Sequence, residues 1–337
     1  MLTDIALRGS VGLIPVLLFL AALVYLDSYK LVHLRAVLET IIFGCLAAAA
    51  SYVANVTMLS TFSIGLTDYS RYVAPLIEEL LKGLILVNLI RRNKIGFPVD
   101  SAIFGFAAGA GFAMIENLYY LGTLVDSHLA VWIVRGFGTA IMHGGTTAIF
   151  GIIAHTLAEE RQTTKAYIFV PGFLTAAAIH SVFNHFLFAP VWSTLGILLL
   201  FPPVIMVVFQ ESEKSLRRWM QIDFDADAEL LERISSGEFT ESKVGKFLGS
   251  LRGRFRGEVV ADMFCYLRLH VELSMRATGM LMMRESGFPT EPHPEVQGML
   301  EELKYLEKSI GRTGRRTMKP FLRLSSRDLW QIYMLEE

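Results

Sequence analysis

Residues 74–83 read Ala74-Pro75-Leu76-Ile77-Glu78-Glu79-Leu80-Leu81-Lys82-Gly83, and they lie inside an apolar run from about 72 to 90. A run of that length can cross a membrane as one helix. A charged residue at the centre of such a helix costs about 2.5–3.5 kcal/mol on membrane-insertion scales. Two acids and a lysine within five residues therefore need partners inside a bundle of helices.

The two acids of this stretch point in different directions. Glu78 and Lys82 are four residues apart, so they share a helix face, and the acid precedes the lysine, which favours an ion pair. Glu79 points about 100° away from Glu78. Taken alone, the motif fits a structural ion pair in a transporter core or helix interface as well as it fits a reactive site.

The composition divides the chain into an apolar part and a polar part. Of 337 residues, 53% are apolar, and the mean hydropathy of +0.45 exceeds that of ordinary soluble proteins. The net charge of −1 gives no general attraction for nucleic acid. Residues 211–337 hold 20 of the 31 Lys and Arg and 21 of the 32 Asp and Glu. We predict a membrane helix bundle over 1–210 and a helical soluble domain of unknown role over 211–337.

The fold that this pattern predicts is all-α, a polytopic membrane bundle of about seven spans with a helical C-terminal domain. Each span needs about 20 apolar residues. The seven runs that meet this length lie near 9–26, 36–57, 71–90, 98–122, 129–158, 166–188 and 192–210. Within the polar part, residues 243–284 have a long helical pattern.

Basic residues in the loops predict the orientation in the cell (plasma or inner) membrane. The strongest basic cluster between two spans is Arg91-Arg92-Asn93-Lys94, and loops rich in Lys and Arg stay in the cytoplasm. The opposite loops are nearly free of Lys and Arg. We therefore predict that the N-terminus lies outside and that the C-terminal domain is cytoplasmic, with a cytoplasmic partner that the sequence leaves unknown.

Further polar residues lie inside the later spans. Glu116 and Asn117 lie in the fourth span, His143 in the fifth and His180 in the sixth. A single histidine in a helix bundle is more often a packing residue than a ligand. At 1.5 Å per residue, however, Glu78, Glu116 and His180 lie within about 12 Å of the outer surface and His143 about 20 Å from it. Carboxylates and imidazoles at overlapping depth can activate water, alone or around a metal ion.

Small residues in the fourth span predict close helix packing near these polar groups. Gly105-Phe106-Ala107-Ala108-Gly109-Ala110-Gly111 has the small-xxx-small spacing that lets another helix approach closely. Such packing would hold a neighbouring polar side chain in place.

Four groups of residues, in order on successive spans, resemble the motifs of the PrsW family of intramembrane proteases, which is related to the type II CAAX prenyl endopeptidases. The motifs are Glu78-Glu79-x-x-Lys82, Phe112-x-x-x-Glu116-Asn117, His143 and His180-x-x-x-Asn184-His185. The resemblance covers about residues 70–190 and implies a membrane-embedded hydrolase of a single-span membrane protein. The best-known reaction of that family is first-site cleavage of a membrane-anchored anti-sigma factor on its outer side.

The resemblance also implies roles for individual residues. The catalytic residues that it implies are Glu78, Glu79, Glu116, His143 and His180. Substrate binding or support of the site is implied for Lys82, Asn117, Asn184 and His185. The metal ligands would be His143, His180 and Glu116. The family is classed with metalloproteases, but its relatives have also been interpreted as metal-free glutamate enzymes, so zinc and no metal both stay open.

Two other classes of function fit parts of the sequence. A transporter or proton-coupled carrier would use the buried Glu and His residues and Arg135 as a relay, but we see no internal repeat of the kind that many transporters have. The other alternative is a non-catalytic or prenyl-processing relative. The presence of both adjacent acids and both histidines argues against a non-catalytic protein. In the polar part, the basic patch at 311–316 with Lys319 is typical of solvated surface, and binding of lipid or of a partner is the alternative.

Overall fold

The computed structural model describes residues 2–27, 29, 31–124, 127–187, 189–288, 294–318, 322 and 335. For residues 2, 3, 221–224, 226 and 294 it describes the backbone alone. Regular structure over the described ranges is helical, with no strand among them. The chain divides into two compact units, Met1–Ser212 and Glu213–Glu337. Two positions of the sequence analysis, residue 188 at the end of the sixth predicted span and Lys319 of the basic patch, lie outside the described residues.

Seven long helices make up the described part of the first unit. They are α1 (Leu2–Leu26), α2 (Leu34–Thr61), α3 (Ala74–Arg91), α4 (Pro98–Thr123), α5 (Leu129–Glu160), α6 (Val170–Asn184) and α7 (Pro190–Ser235), the last of which continues into the second unit. By length and composition, six of them can cross a membrane, all except α3. The predicted all-α polytopic bundle is therefore confirmed.

Helix α3 falls outside that set because it carries four charged residues in 18. They are Glu78, Glu79, Lys82 and Arg91. The helix packs against α2, α4, α5 and α6, and Glu79 and Lys82 are buried there. Glu79 and Lys82 are thus placed inside the bundle, as the cost of charge in lipid requires.

Helix α4 is the centre of the first unit, and every residue from 99 to 113 is buried. Its most extensive contact is with α5. A Cβ atom on Gly109 would lie 2.2 Å from the carbonyl oxygen of His143, closer than any side chain allows. The close packing predicted from the small residues of α4 is thus confirmed, and it fixes the backbone of α5 at His143.

Two π-helical segments precede the parts of the chain that carry the polar groups. One is Tyr69–Val73, directly before α3, and the other is Val134–Thr139, within α5. A π-turn inserts one extra residue into a helical turn, so it rotates the side chains that follow relative to those before, and such turns are frequent at functional sites.

Contacts between loops distinguish the two ends of the bundle. At one end, the Arg91 guanidinium donates to the carbonyl of Thr164, 3.3 Å away, so the loop after α3 meets the loop before α6. At the other end, Asn184 at the end of α6 donates to the carbonyl of Ser70, just before α3. Glu78, the fifth residue of α3, therefore lies nearer the second end, away from the basic loop.

Among the residues of the second unit that the structure describes, three further α-helices follow α7. They are α8 (Lys243–Ser250), α9 (Gly257–Glu285) and α10 (Pro294–Met318). The helical pattern over 243–284 forms two helices, because a 3₁₀ turn at Leu251–Gly253 separates α8 from α9. Glycines at 253 and 257 lower the helical propensity there. In α9, burial lowers the pKa of His270 to about 4, so this side chain is a neutral core residue at pH 7.

Candidate active site

The buried carboxylate of Glu79 is the centre of a polar network inside the first unit. Its Oε1 accepts from Lys82 Nζ at 2.6 Å, from Thr146 Oγ1 at 2.9 Å and from His180 Nδ1 at 2.8 Å. Because a carboxylate only accepts, the proton of the His180 ring is assigned to Nδ1. The Nε2 atom of His180 then has a free lone pair.

The ion pair of α3 differs from the one expected from the sequence. Lys82 pairs with Glu79 and not with Glu78, because Glu79 faces the interior of the bundle together with the lysine. Spacings of three and of four residues both bring side chains together on a helix. Glu78 instead accepts from Asn55 Nδ2 at 3.3 Å, and its Oε2 lies 3.7 Å from His180 Nε2.

The His143 ring connects the lysine to the third acid. Its Nδ1 lies 3.1 Å from Lys82 Nζ, and its Nε2 lies 2.9 Å from Glu116 Oε2. The ammonium group has only donors, so Nδ1 accepts and Nε2–H donates to Glu116. The ring is perpendicular to that of His180, with the two ring centres 4.8 Å apart.

Glu116 is held from its other side by an arginine. Arg135 Nη2 lies 3.4 Å from Glu116 Oε1, and Arg135 Nε donates to Asn117 Oδ1 at 2.8 Å. The guanidinium group also lies over the Tyr120 ring, 3.8 Å from its centre. Asn117 Nδ2 in turn donates to the carbonyl of Gly12 in α1 at 2.8 Å. A continuous series of contacts thus runs from the backbone of α1 to Glu116.

Only two acids of this network reach the surface of the first unit. The side chains of Glu78 and Glu116 are 16% and 28% exposed, whereas that of Glu79 is 1% exposed. Both histidine side chains are at most 2% exposed. A molecule that enters the site therefore meets Glu78 and Glu116 first, with the imidazoles directly behind them.

Three residues of the network are close enough to hold a metal ion. One donor atom each from Glu78, His143 and His180 lies within 4.8 Å of the other two. Two imidazoles and a carboxylate are typical ligands of a catalytic zinc ion. His180 fits this role well, because Glu79 fixes Nδ1 and leaves Nε2 free, as in many carboxylate–histidine–metal sites. The donor set therefore fits a divalent metal ion.

The residues expected from the sequence to hold a metal differ by one from this group. His143, His180 and Glu116 were expected, whereas the three donors that lie within 4.8 Å of one another include Glu78 in place of Glu116. Glu116 is bound between His143 Nε2 and Arg135 instead. Both ring nitrogens of His143 are engaged in this arrangement, so His143 would have to give up one contact to bind a metal.

The structure brings all five residues expected to be catalytic into one network, and Lys82 with them. Asn184 and His185 lie outside it. Asn184 donates to the Ser70 carbonyl, and His185 Nδ1 donates to the Ser181 carbonyl at 2.6 Å while its ring packs against Tyr72. These two residues tie the end of α6 to the segment before α3.

Sequence reasoning missed two members of the network. Thr146 donates to Glu79, and Asn55 donates to Glu78. A signal existed for Asn55, since it and Ser51 are four residues apart in the mostly apolar middle of α2 and are hydrogen-bonded at 3.2 Å. Thr146 gave none, because threonine is common in membrane helices as a packing residue.

Comparison with known families gives one match. The family model "PrsW family intramembrane metalloprotease" matches residues 32–209, slightly more than half of the chain. No curated protein and no solved structure matches it. The matched range includes the whole network from Asn55 to His180 and excludes α1, whose Gly12 supports Asn117. The chain therefore belongs to the PrsW family of intramembrane metalloproteases, and it is a membrane-embedded peptidase.

Proposed function

We propose that this peptidase hydrolyses a single-span membrane protein near the outer juxtamembrane end of its span. The observation that carries the proposal is the pair of partly exposed carboxylates, Glu78 and Glu116, beside two buried imidazoles. First-site cleavage of a membrane-anchored anti-sigma factor would be one reaction of this class.

The chemistry that we propose begins at Glu78. A water that donates to Glu78 Oε2 and to His180 Nε2, which are 3.7 Å apart, is held next to both acceptors. Glu78 takes its proton while the water oxygen bonds to the carbonyl carbon of the substrate. The proton then passes to the amide nitrogen as the C–N bond breaks. Glu79 holds the His180 ring in the orientation that this step needs.

Positive charge near the reacting carbonyl would stabilise the developing oxyanion. Arg135 lies at the rim of the site beside Glu116, and Lys82 lies behind the two imidazoles. A divalent ion bound by Glu78, His143 and His180 would polarise the carbonyl and acidify a bound water. In that case Glu116 is the partly exposed acid that remains to take up a proton.

The ends of the bundle support the proposed side of the membrane. Arg91, Arg92 and Lys94 lie in the loop after α3, and the Lys/Arg rule places such a loop in the cytoplasm. Glu78 lies near the opposite end of α3, so the site opens toward the outside in this orientation. The N-terminus would then lie outside and the C-terminal unit in the cytoplasm.

Mass spectrometry of membrane fractions tests the proposed substrate and side. Cells with the wild-type protein are expected to accumulate new protein ends within the outer juxtamembrane residues of one or a few single-span proteins. The Glu78→Gln variant should lack these ends, and the Glu39→Gln variant should keep them, since Glu39 is an exposed acid of α2 paired with Arg35. Ends on the cytoplasmic side, or the same ends in all samples, would contradict the proposal.

A zinc ion held by Glu78, His143 and His180 is the alternative to a base at Glu78, and with such an ion its removal is expected to abolish hydrolysis. Purified protein should contain about one zinc per chain, because a catalytic site holds a single ion on three protein ligands. A chelator should remove both metal and activity, and added zinc should restore them. His180→Ala should lower the zinc content, whereas His128→Ala, a histidine outside the network, should not. Full activity of metal-free protein would rule out zinc.

Replacement of Arg135 by methionine is expected to lower the rate of hydrolysis by about 10- to 100-fold, because Glu116 would lose its fixed position. Arg135→Lys should be intermediate, since an ammonium group cannot contact Glu116 and Asn117 as a fork. The rate of fragment formation by equal amounts of inserted protein measures the effect. Arg91→Met, at the other end of the bundle, is the control, and an equal loss in that variant would contradict a specific role for Arg135.

A further inference from the structure

The second unit contains a backbone conformation that only glycine adopts readily. Helix α10 is interrupted at Gly311, where φ is 64° and ψ is −177°. Side-chain-bearing residues are strongly disfavoured in this region. A Cβ atom at Gly311 would have no atom within 4 Å, so the backbone angles alone require glycine here. The interruption is therefore encoded in the sequence at this position.

A basic cleft of about 380 Å³ surrounds this interruption. Its lining residues are Lys304, Glu307, Lys308, Gly311, Arg312 and Arg315. Four of the six are positively charged and one is negative.

The single acid in the lining does not balance the positive charge of the cleft. Glu307 forms an ion pair with Arg315 from the other side of the interruption. Lys308 and Arg312 have no acidic partner within the described part of the chain. These two cations thus line the cleft without an acidic partner of their own, and both would attract a bound anion.

Packing explains why these charges share one side of the helix. The apolar side of α10 is buried through Leu303, Leu306 and Ile310 before the interruption and through Gly314 and Met318 after it. The Gly314 backbone lies close to Met263 of α9. Both segments are therefore anchored, and the cationic side chains of each are directed to the same cleft.

We propose that this basic cleft binds a phosphate-bearing anion. Arginine matches phosphate oxygens with two parallel donors, and lysine adds a compact charge. The phosphate can come from a free phosphorylated compound or from the headgroup of an anionic phospholipid. The cleft is separate from the peptidase site, so the proposal does not depend on the substrate proposed above.

Equilibrium binding to the full-length protein in neutral detergent tests the proposal at constant ionic strength. The probes are inorganic phosphate, glycerol 3-phosphate and two short-chain lipids with equal tails, phosphatidylglycerol and phosphatidylcholine. Binding of glycerol 3-phosphate or inorganic phosphate supports a free phosphate compound. Binding of phosphatidylglycerol alone supports a lipid headgroup. Equal binding of the two lipids without either soluble phosphate, or no binding at all, would overturn the proposal.

Paired variants separate the cleft from general surface charge. Arg312→Gln is expected to weaken binding about tenfold, and Arg316→Gln, which removes the same charge outside the lining, less than about twofold. Gly311→Ala should also weaken binding, whereas Gly298→Ala in the same helix should not. If Gly311→Ala does not fold, the arginine pair decides alone. Equal effects of Arg312→Gln and Arg316→Gln would overturn the proposal.

Discussion

Glu78→Gln is expected to lower peptide hydrolysis by about 10³-fold while the protein stays folded in the membrane. The variant loses the acceptor next to His180 Nε2 but keeps the shape of the side chain. Since Lys82 pairs with Glu79, removal of Glu78 leaves no buried cation without its partner. Fragment formation and thermal unfolding, measured on the same preparation, should therefore respond very differently.

The matched control for this prediction is Glu39→Gln, an identical change at an exposed acid of α2. It should leave both the rate and the unfolding temperature unchanged. A Glu78→Gln protein that unfolds easily, or one that retains more than about a tenth of the activity, would contradict a catalytic role for Glu78.

Glu79→Gln is expected to abolish hydrolysis and also to destabilise the protein. The ammonium group of Lys82 is fully buried, and Glu79 is its carboxylate partner at 2.6 Å. Removal of one member of a buried ion pair costs about 3–5 kcal/mol, because the other charge is left uncompensated. His180 loses its Nδ1 acceptor in the same step, so its ring is no longer held for catalysis.

A double variant separates these two effects of Glu79. In Glu79→Gln/Lys82→Met both charges are removed, and replacement of a whole buried pair is often neutral for stability. The double variant should regain most of the lost resistance to unfolding and still be inactive. Recovery of activity together with stability would mean that Glu79 serves the fold alone.

The sequence predicted the members of the site better than their pairing. The order and depth of the acids and histidines on successive spans were enough to predict that they lie close together, because the rise per residue of a helix fixes how deep each side chain lies in the membrane. The partner of Lys82 could not be deduced, since Glu78 and Glu79 are both within reach on a helix. The choice depends on how α3 is rotated in the bundle, and the π-helical residues 69–73 directly before it contribute to that rotation.

Other differences have equally physical reasons. The change in composition near residue 211 predicted a domain boundary, and the two compact units divide between Ser212 and Glu213, but α7 continues without interruption across this point to Ser235. Polar side chains are as compatible with a helix as apolar ones, so such a change marks the end of an apolar stretch and not the end of a helix. The contact between Glu116 and Arg135 could not be predicted either. The two residues lie on different helices, so their spacing in the sequence does not indicate that they meet.

Reconstitution of the purified protein in lipid vesicles tests the central claim most directly. The substrate is a single-span protein identified by its new ends in cells, and the measured quantity is the rate at which both fragments appear. We predict that the wild-type chain alone cleaves the substrate at one position on the side opposite to the Arg91 loop and that Glu78→Gln does not. A purified wild-type protein that is stably folded, loaded with metal and unable to cleave this substrate, or a Glu78→Gln variant that cleaves it at the wild-type rate, would contradict the account.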